Sequence, residues 1–237
     1  MAKNLKNMKK TLTFAVSLAA AMSASLAVIQ TAQAQSSSNT LANLAPNEVS
    51  SGLTLIIGDK TFSDFSYTDS GLTGFNPTQV TVTASETSGT YYLTWQGTFE
   101  AANAIGDLDL GYTVTASGGL INEIDLSYGG QLVSGTGLIG VTELAQDPSA
   151  NTLGDIQLSS SVSSAGQFAK SGTFNFSSPE PVVDVTKDIS FIAPGGTIEL
   201  LQVEQSFEQV PEPTTISLLL LPFAASTLRI LRKSRTV

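Results

Sequence analysis

The 237-residue chain has no cysteine and no histidine, and its formal charge of −9 hides a sharp division. Between Gln35 and Val210 three basic residues (Lys60, Lys170, Lys187) face nineteen acidic ones, so this body carries a formal −16. Without histidine or cysteine it can build no Ser-His-Asp triad, thiol nucleophile, Cys- or His-ligated zinc, copper or non-haem iron site. So few cations cannot cradle phosphates, and the charge repels nucleic acid.

The N-terminus reads as a targeting segment. Met1 to Lys10 holds four lysines and no acid, an apolar stretch follows to about Ile29, and Ala32-Gln33-Ala34 closes it. A basic n-region, an apolar h-region and a small-x-small site are the parts of a secretory signal peptide. The expected segment is 1–34, a signal helix cut by signal peptidase after Ala34, with Ala32 and Ala34 as the recognised small residues. The body is then exported. Exported domains often use disulfides; one with no cysteine must be held by its core, and about 175 residues suffice for one.

Residues 35–51 are rich in Ser, Asn and Ala and are expected to be a flexible lead-in, with a short turn at Leu41 to Leu44. From Gly52 the chain is Thr-, Val-, Ser- and Gly-rich with period-two alternation, the strand signal. Val80, Val82 and Ala84 alternate, and Tyr91, Leu93 and Trp95 do so after the Ser88-Gly89 turn. This places Trp95 in the core. From Asp107 to Ala116, Leu108, Leu110, Tyr112 and Val114 share one face, with Asp107 and Asp109 on the wet one. Ile124, Leu126 and Tyr128, then Ile156, Leu158 and Val162, then Phe174 and Phe176, continue the pattern. Pro194-Gly195-Gly196 separates Asp188–Ala193 from Thr197–Phe207, which reads as a terminal hairpin.

Ten or eleven short strands with frequent turn signals, and no helical crossovers, predict an all-β fold: a single antiparallel, jelly-roll-like β-sandwich over 52–208. Paired carboxylates could serve glycoside hydrolysis. Acids at alternate strand positions read instead as solvated surface, so no enzyme is expected. No cofactor or defined metal site is expected either. Calcium, which takes oxygen ligands, has Asp107/Asp109 and the Asp59, Asp64, Asp69 series as its candidates.

The segment 209–237 is a different kind of text. Val210-Pro211-Glu212-Pro213 precedes an apolar run from Ile216 to Leu231, interrupted by Pro222, and then Arg229, Arg232, Lys233 and Arg235. About sixteen helical residues reach roughly 24 Å, short of a hydrocarbon core of about 30 Å. Pro222 would kink the run. The basic tail marks a cytoplasmic end. These parts, in this order, resemble the PEP-CTERM protein-sorting signal. The resemblance covers the last 27 or so residues, and the interrupted basic cluster, followed by Ser234, Thr236 and Val237, is a mild departure. It implies a transient inner-membrane intermediate in a Gram-negative bacterium that makes extracellular polysaccharide. There a membrane-embedded exosortase recognises Pro211, Glu212 and Pro213 and cleaves near them, while Arg229, Arg232, Lys233 and Arg235 hold the tail. The expected product is a protein of the outer envelope, cell surface or extracellular matrix. Its body would be structural or adhesive or, alternatively, a lectin-like module on exopolysaccharide.

Overall fold

The computed structural model describes residues 35–210. The expected signal helix with Ala32 and Ala34, and the segment carrying Pro211, Glu212, Pro213, Arg229, Arg232, Lys233 and Arg235, lie outside these residues.

Within them twelve strands form. These are β1 (Gln35–Thr40), β2 (Leu55–Ile57), β3 (Lys60–Ser70), β4 (Thr81–Thr87), β5 (Thr90–Ala102) and β6 (Ile105–Ala116). The second half holds β7 (Leu120–Ser134), β8 (Gly137–Gln146), β9 (Thr152–Val162), β10 (Gly166–Glu180), β11 (Val182–Ile192) and β12 (Thr197–Val210). Two six-stranded antiparallel sheets result: sheet A in the order β1-β4-β5-β12-β7-β10, and sheet B in the order β2-β3-β6-β11-β8-β9.

The last eight strands pair in a nested way: β5 with β12, β6 with β11, β7 with β10, β8 with β9. A long two-stranded ribbon has been folded over so that its successive pairs fall alternately in the two sheets, which is the winding of a jelly roll. β4 and β1 extend sheet A, and β3 and β2 extend sheet B.

Alternation in sequence becomes the inner face of each sheet. On β6, Leu108, Leu110, Tyr112 and Val114 are buried, and on β5 Tyr91, Leu93 and Trp95 are buried. Trp95 is 1% exposed, as its place in the alternating stripe requires. Its ring lies 5.2 Å from that of Tyr112, and Phe62, Phe65 and Phe207 complete an aromatic cluster around Tyr112.

Two turns show why particular residues stand where they do. Ser88 and Gly89 join β4 to β5 in a two-residue loop between paired Thr87 and Thr90, both with positive φ (55° and 86°). That backbone matches the strand twist, and glycine adopts it without a Cβ clash. Gly130 sits beside a bulge in β12, where register slips between Leu200 and Gln202. A Cβ on Gly130 would lie 2.1 Å from the Glu199 carbonyl oxygen, so only glycine admits that approach.

Two expectations are corrected. The lead-in is not a flexible segment: β1 pairs with β4 over six residues, and the helix α1 (Leu41–Leu44) follows at once. Leu41, Leu44 and Ala45 are fully buried, and the Leu41 N–H donates to the Val80 carbonyl at 2.9 Å. A serine-rich stretch can close a sheet edge because the edge asks for backbone donors and acceptors, not apolar side chains. The expected terminal hairpin is also absent. β11 lies in sheet B and β12 in sheet A, so the Pro194-Gly195-Gly196 connection crosses between sheets. A turn signal reports that the chain reverses; it does not say whether the two strands stay bonded.

Candidate functional site

The structure places the acids that sequence reading singled out in two different settings. Asp107 and Asp109 point from the outer face of β6, and Asp188 of β11 is registered directly opposite Asp109. Oxygens of the three carboxylates lie within 4.8 Å of one another. Burial and the neighbouring carboxylates, Asp188 foremost, raise Asp107 and Asp109 above the usual carboxylate range. Asp188 lies far away in sequence and only strand pairing brings it in. Asp59, Asp64 and Asp69 are not gathered: Asp59 is in the β2–β3 turn, whereas Asp64 and Asp69 are spread along β3, and the group of three within ligating distance does not include them.

The outer face of sheet A carries a second polar array. On β12, Glu199, Glu204 and Ser206 face outward beside Asp125 and Gln131 of β7. The Ser206 hydroxyl donates to Asp125 at 2.8 Å and the Gln131 amide donates to Glu199 at 2.6 Å. Thr94 and Gln202 both donate to Glu204, at 3.2 and 3.3 Å, and Thr173 of β10 donates to Asp125. Beside this array lies an open depression of 910 Å³, lined by Ser127 to Gly130 of β7, Gln167 to Ser171 of β10, and Leu201 and Gln202 at the β12 bulge. The depression lies where Gly129 carries no side chain on the outer face and the β12 register shifts between Leu200 and Gln202. Phe168 borders it and packs edge-on against Tyr128, ring centres 6.4 Å apart.

A third group is buried, and the sequence reading missed it, treating its lysine only as charge. Lys187 (1% exposed) lies on the inner face of β11, directly opposite Glu143 (0%) of β8. Its ammonium donates to Glu143 and, at 2.6 Å, to the side-chain oxygen of Gln205 (0%), which reaches down from β12 of the opposite sheet. The Gln205 amide nitrogen donates back to Glu143 at 2.5 Å, and the Tyr112 hydroxyl donates to the Gln205 oxygen. Trp95 and Tyr112 flank Lys187, with Nζ 5.5 and 5.7 Å from their ring centres, within cation–π range. Burial lowers the Lys187 amine below the ordinary lysine range, although the Glu143 charge pulls the other way. Burial also pushes the Tyr112 phenol well up.

Lys60 repeats this pattern in a more open place. It donates to Asp59 at 2.7 Å and to Gln209 of β12, and lies 4.2 Å from the Tyr91 ring centre. The signal for the Lys187 group was a polar residue at an inward step of an apolar stripe: Val183-x-Val185-x-Lys187-x-Ile189 on β11, and Val203-x-Gln205-x-Phe207 on β12.

No family model matches the chain, and no curated protein matches it. Among solved structures, the enzymatically active domain of bacteriophage CBA120 tailspike protein 4 is 14% identical over 60% of this chain, with a TM-score of 0.30. This chain spans 19% of that one. TmCBM61, solved with β-1,4-galactotriose, is 12% identical, matched over 60% of this chain and 88% of its own, with a TM-score of 0.30. A CBM4 structure is 12% identical, matched over 63% of this chain and 87% of its own, with a TM-score of 0.26. Matches of this kind carry no inference about ligand or reaction; the β-sandwich rests on the strand pairing itself.

Proposed function

We propose that this is an exported, non-enzymatic β-sandwich of a Gram-negative bacterium, processed by signal peptidase and then sorted by an exosortase to the cell surface or extracellular matrix, where it is structural or adhesive. One observation carries the proposal: a Pro211-Glu212-Pro213 triplet stands between a −16 body and a short apolar run with a basic end. Such charge asymmetry favours a translocated body and a cytoplasmic tail. Several outer-face carboxylates support a non-catalytic reading, because Asp125, Glu199 and Glu204 are held by hydroxyls and amides of neighbouring strands. Changing Pro211, Glu212 and Pro213 to alanine in the native host is expected to leave a larger, membrane-retained form. Unchanged secretion and unchanged mass would overturn the sorting role.

The depression on sheet A favours a second reading, binding of extracellular polysaccharide. Its mouth offers a side-chain amide (Gln202) and hydroxyls (Ser127, Ser171), groups that can hydrogen-bond hydroxyl-rich rings. Gln202→Ala with Ser171→Ala is expected to weaken binding of the host polysaccharide on the order of tenfold, the effect of about 1.4 kcal/mol. No binding by the unaltered protein, with or without calcium, would exclude this reading and leave the sorting role standing.

A further inference from the structure

The buried Lys187 group has the parts of a self-joining site: an amine, a carboxamide and a carboxylate between them, walled by aromatic rings. We propose that Lys187 and Gln205 form an intramolecular isopeptide bond, with Glu143 as the proton-transfer group and Tyr112 as the donor to the reacting carbonyl oxygen. The bond would tie β11 of sheet B to β12 of sheet A through the middle of the sandwich.

The geometry carries this. Nζ is 2.6 Å from the Gln205 side-chain oxygen. A C=O bond is about 1.23 Å, so the carbonyl carbon lies within about 3.8 Å of the amine. That is close to the 3–3.5 Å at which reacting atoms of a near-attack arrangement stand. Glu143 bonds both nitrogens that must exchange protons, the Lys187 amine and the Gln205 amide. The Tyr112 hydroxyl already donates to the oxygen on which negative charge would develop. All four side chains are buried between the sheets, so water is kept from competing for the carbonyl carbon.

The step balances without an external reagent. The Lys187 ammonium gives a proton to the Glu143 carboxylate, and the freed lone pair on Nζ attacks Cδ of Gln205. The C=O electron pair moves onto the oxygen held by Tyr112. Glu143 passes its proton to the amide nitrogen and takes one from Nζ. The carbonyl then re-forms, the old C–N bond breaks and ammonia leaves. An ammonium, a carboxylate and a primary amide become a secondary amide, a carboxylic acid and ammonia. No electrons are exchanged, so the bond needs no oxidising compartment. It would give a cysteine-free exported chain a covalent tie of a kind disulfides usually supply.

Trypsin reads the outcome directly on the full chain. A free Lys187 is a cleavage site, and an acylated one is not. Denaturing digestion and peptide mass mapping are expected to find a peptide that starts at Ser171 and runs uncut through Lys187, lighter than its sequence by one ammonia. Fragment ions should place the deficit on the Lys187–Gln205 link. Complete cleavage after Lys187 in the folded, aged protein would overturn the proposal and leave the group a buried ion pair. Glu143→Gln is expected to restore cleavage in protein that keeps its β circular dichroism. A Glu143→Gln chain still joined would overturn the role given to Glu143. If this variant does not fold, the mass of the unaltered chain still decides the question.

Discussion

Lys187 and Lys60 occupy two versions of one arrangement. Each is a lysine of sheet B beside a carboxylate and a tyrosine ring, reaching a glutamine on β12 of sheet A. They differ in enclosure. Glu143 is fully buried, whereas the Asp59 side chain is 19% exposed at the β2–β3 turn and also accepts from the Gly118 N–H. The same kinds of chemical group therefore meet different media. In the enclosed site a charge has no solvent to fall back on, and the pair must stay paired, be neutralised or react. At the turn, water reaches the carboxylate, although Lys60 itself is buried.

The largest effect should come from emptying the enclosed site. Glu143→Ala leaves the buried Lys187 amine without its counter-charge and is expected to cost about 3–5 kcal/mol in denaturant unfolding. Asp59→Ala should cost less, about 1–3 kcal/mol, since Lys60 is buried but water reaches the carboxylate side of the pair and Gln209 still accepts from Lys60. Equal losses at the two sites would erase the distinction between them. Mass mapping sharpens it chemically: complete cleavage is expected after Lys60 in the same digest in which Lys187 resists.

The acid limb of the stability curve gives a smaller test. Asp59 is held below the usual carboxylate range: burial raises it, and the bonds from Lys60 and Tyr91, with the Lys60 charge, outweigh burial. A depressed carboxylate contributes stability that is present above its unfolded value, about 3.9, and is lost as pH falls through its folded value. Asp59→Ala should flatten that part of the stability–pH profile, and an unchanged profile would mean that the turn pair contributes nothing. Asp107 and Asp109 act with the opposite sign. Their raised values mean that burial, with repulsion from Asp188 added, costs stability at neutral pH, and the cost is relieved as pH falls through the folded values toward about 3.9. Asp188→Asn should therefore stabilise the protein at pH 7 by a few tenths of a kcal/mol, less at high salt.

Much of the fold was legible because a strand writes its burial in every second residue. Trp95, Leu108 to Val114 and Ile124 to Tyr128 declared their inner face without any partner being known. The serine-rich Gln35–Thr40 strand was not legible, since an edge is held by backbone bonds that every residue but proline can donate. The candidate sites were less legible still. Asp188 joins Asp107 and Asp109 only through the β6–β11 register. The depression on sheet A depends on a bulge in β12, for which the sequence holds no distinct mark.

By its own pattern, the sequence determined an acidic, cysteine-free, all-β body between two basic ends, and it set Lys187, Glu143 and Gln205 at inward steps of apolar stripes. Alternation is a local property, so these followed from the chain alone. Which stripes face each other was decided by the tertiary winding. The crossing of the β11–β12 connection from one sheet to the other set Gln205 above Lys187, and strand register set Glu143 beside it. The reason is range: side-chain direction is set within two residues, whereas the pairing of strands is chosen by how the whole sandwich closes over its core.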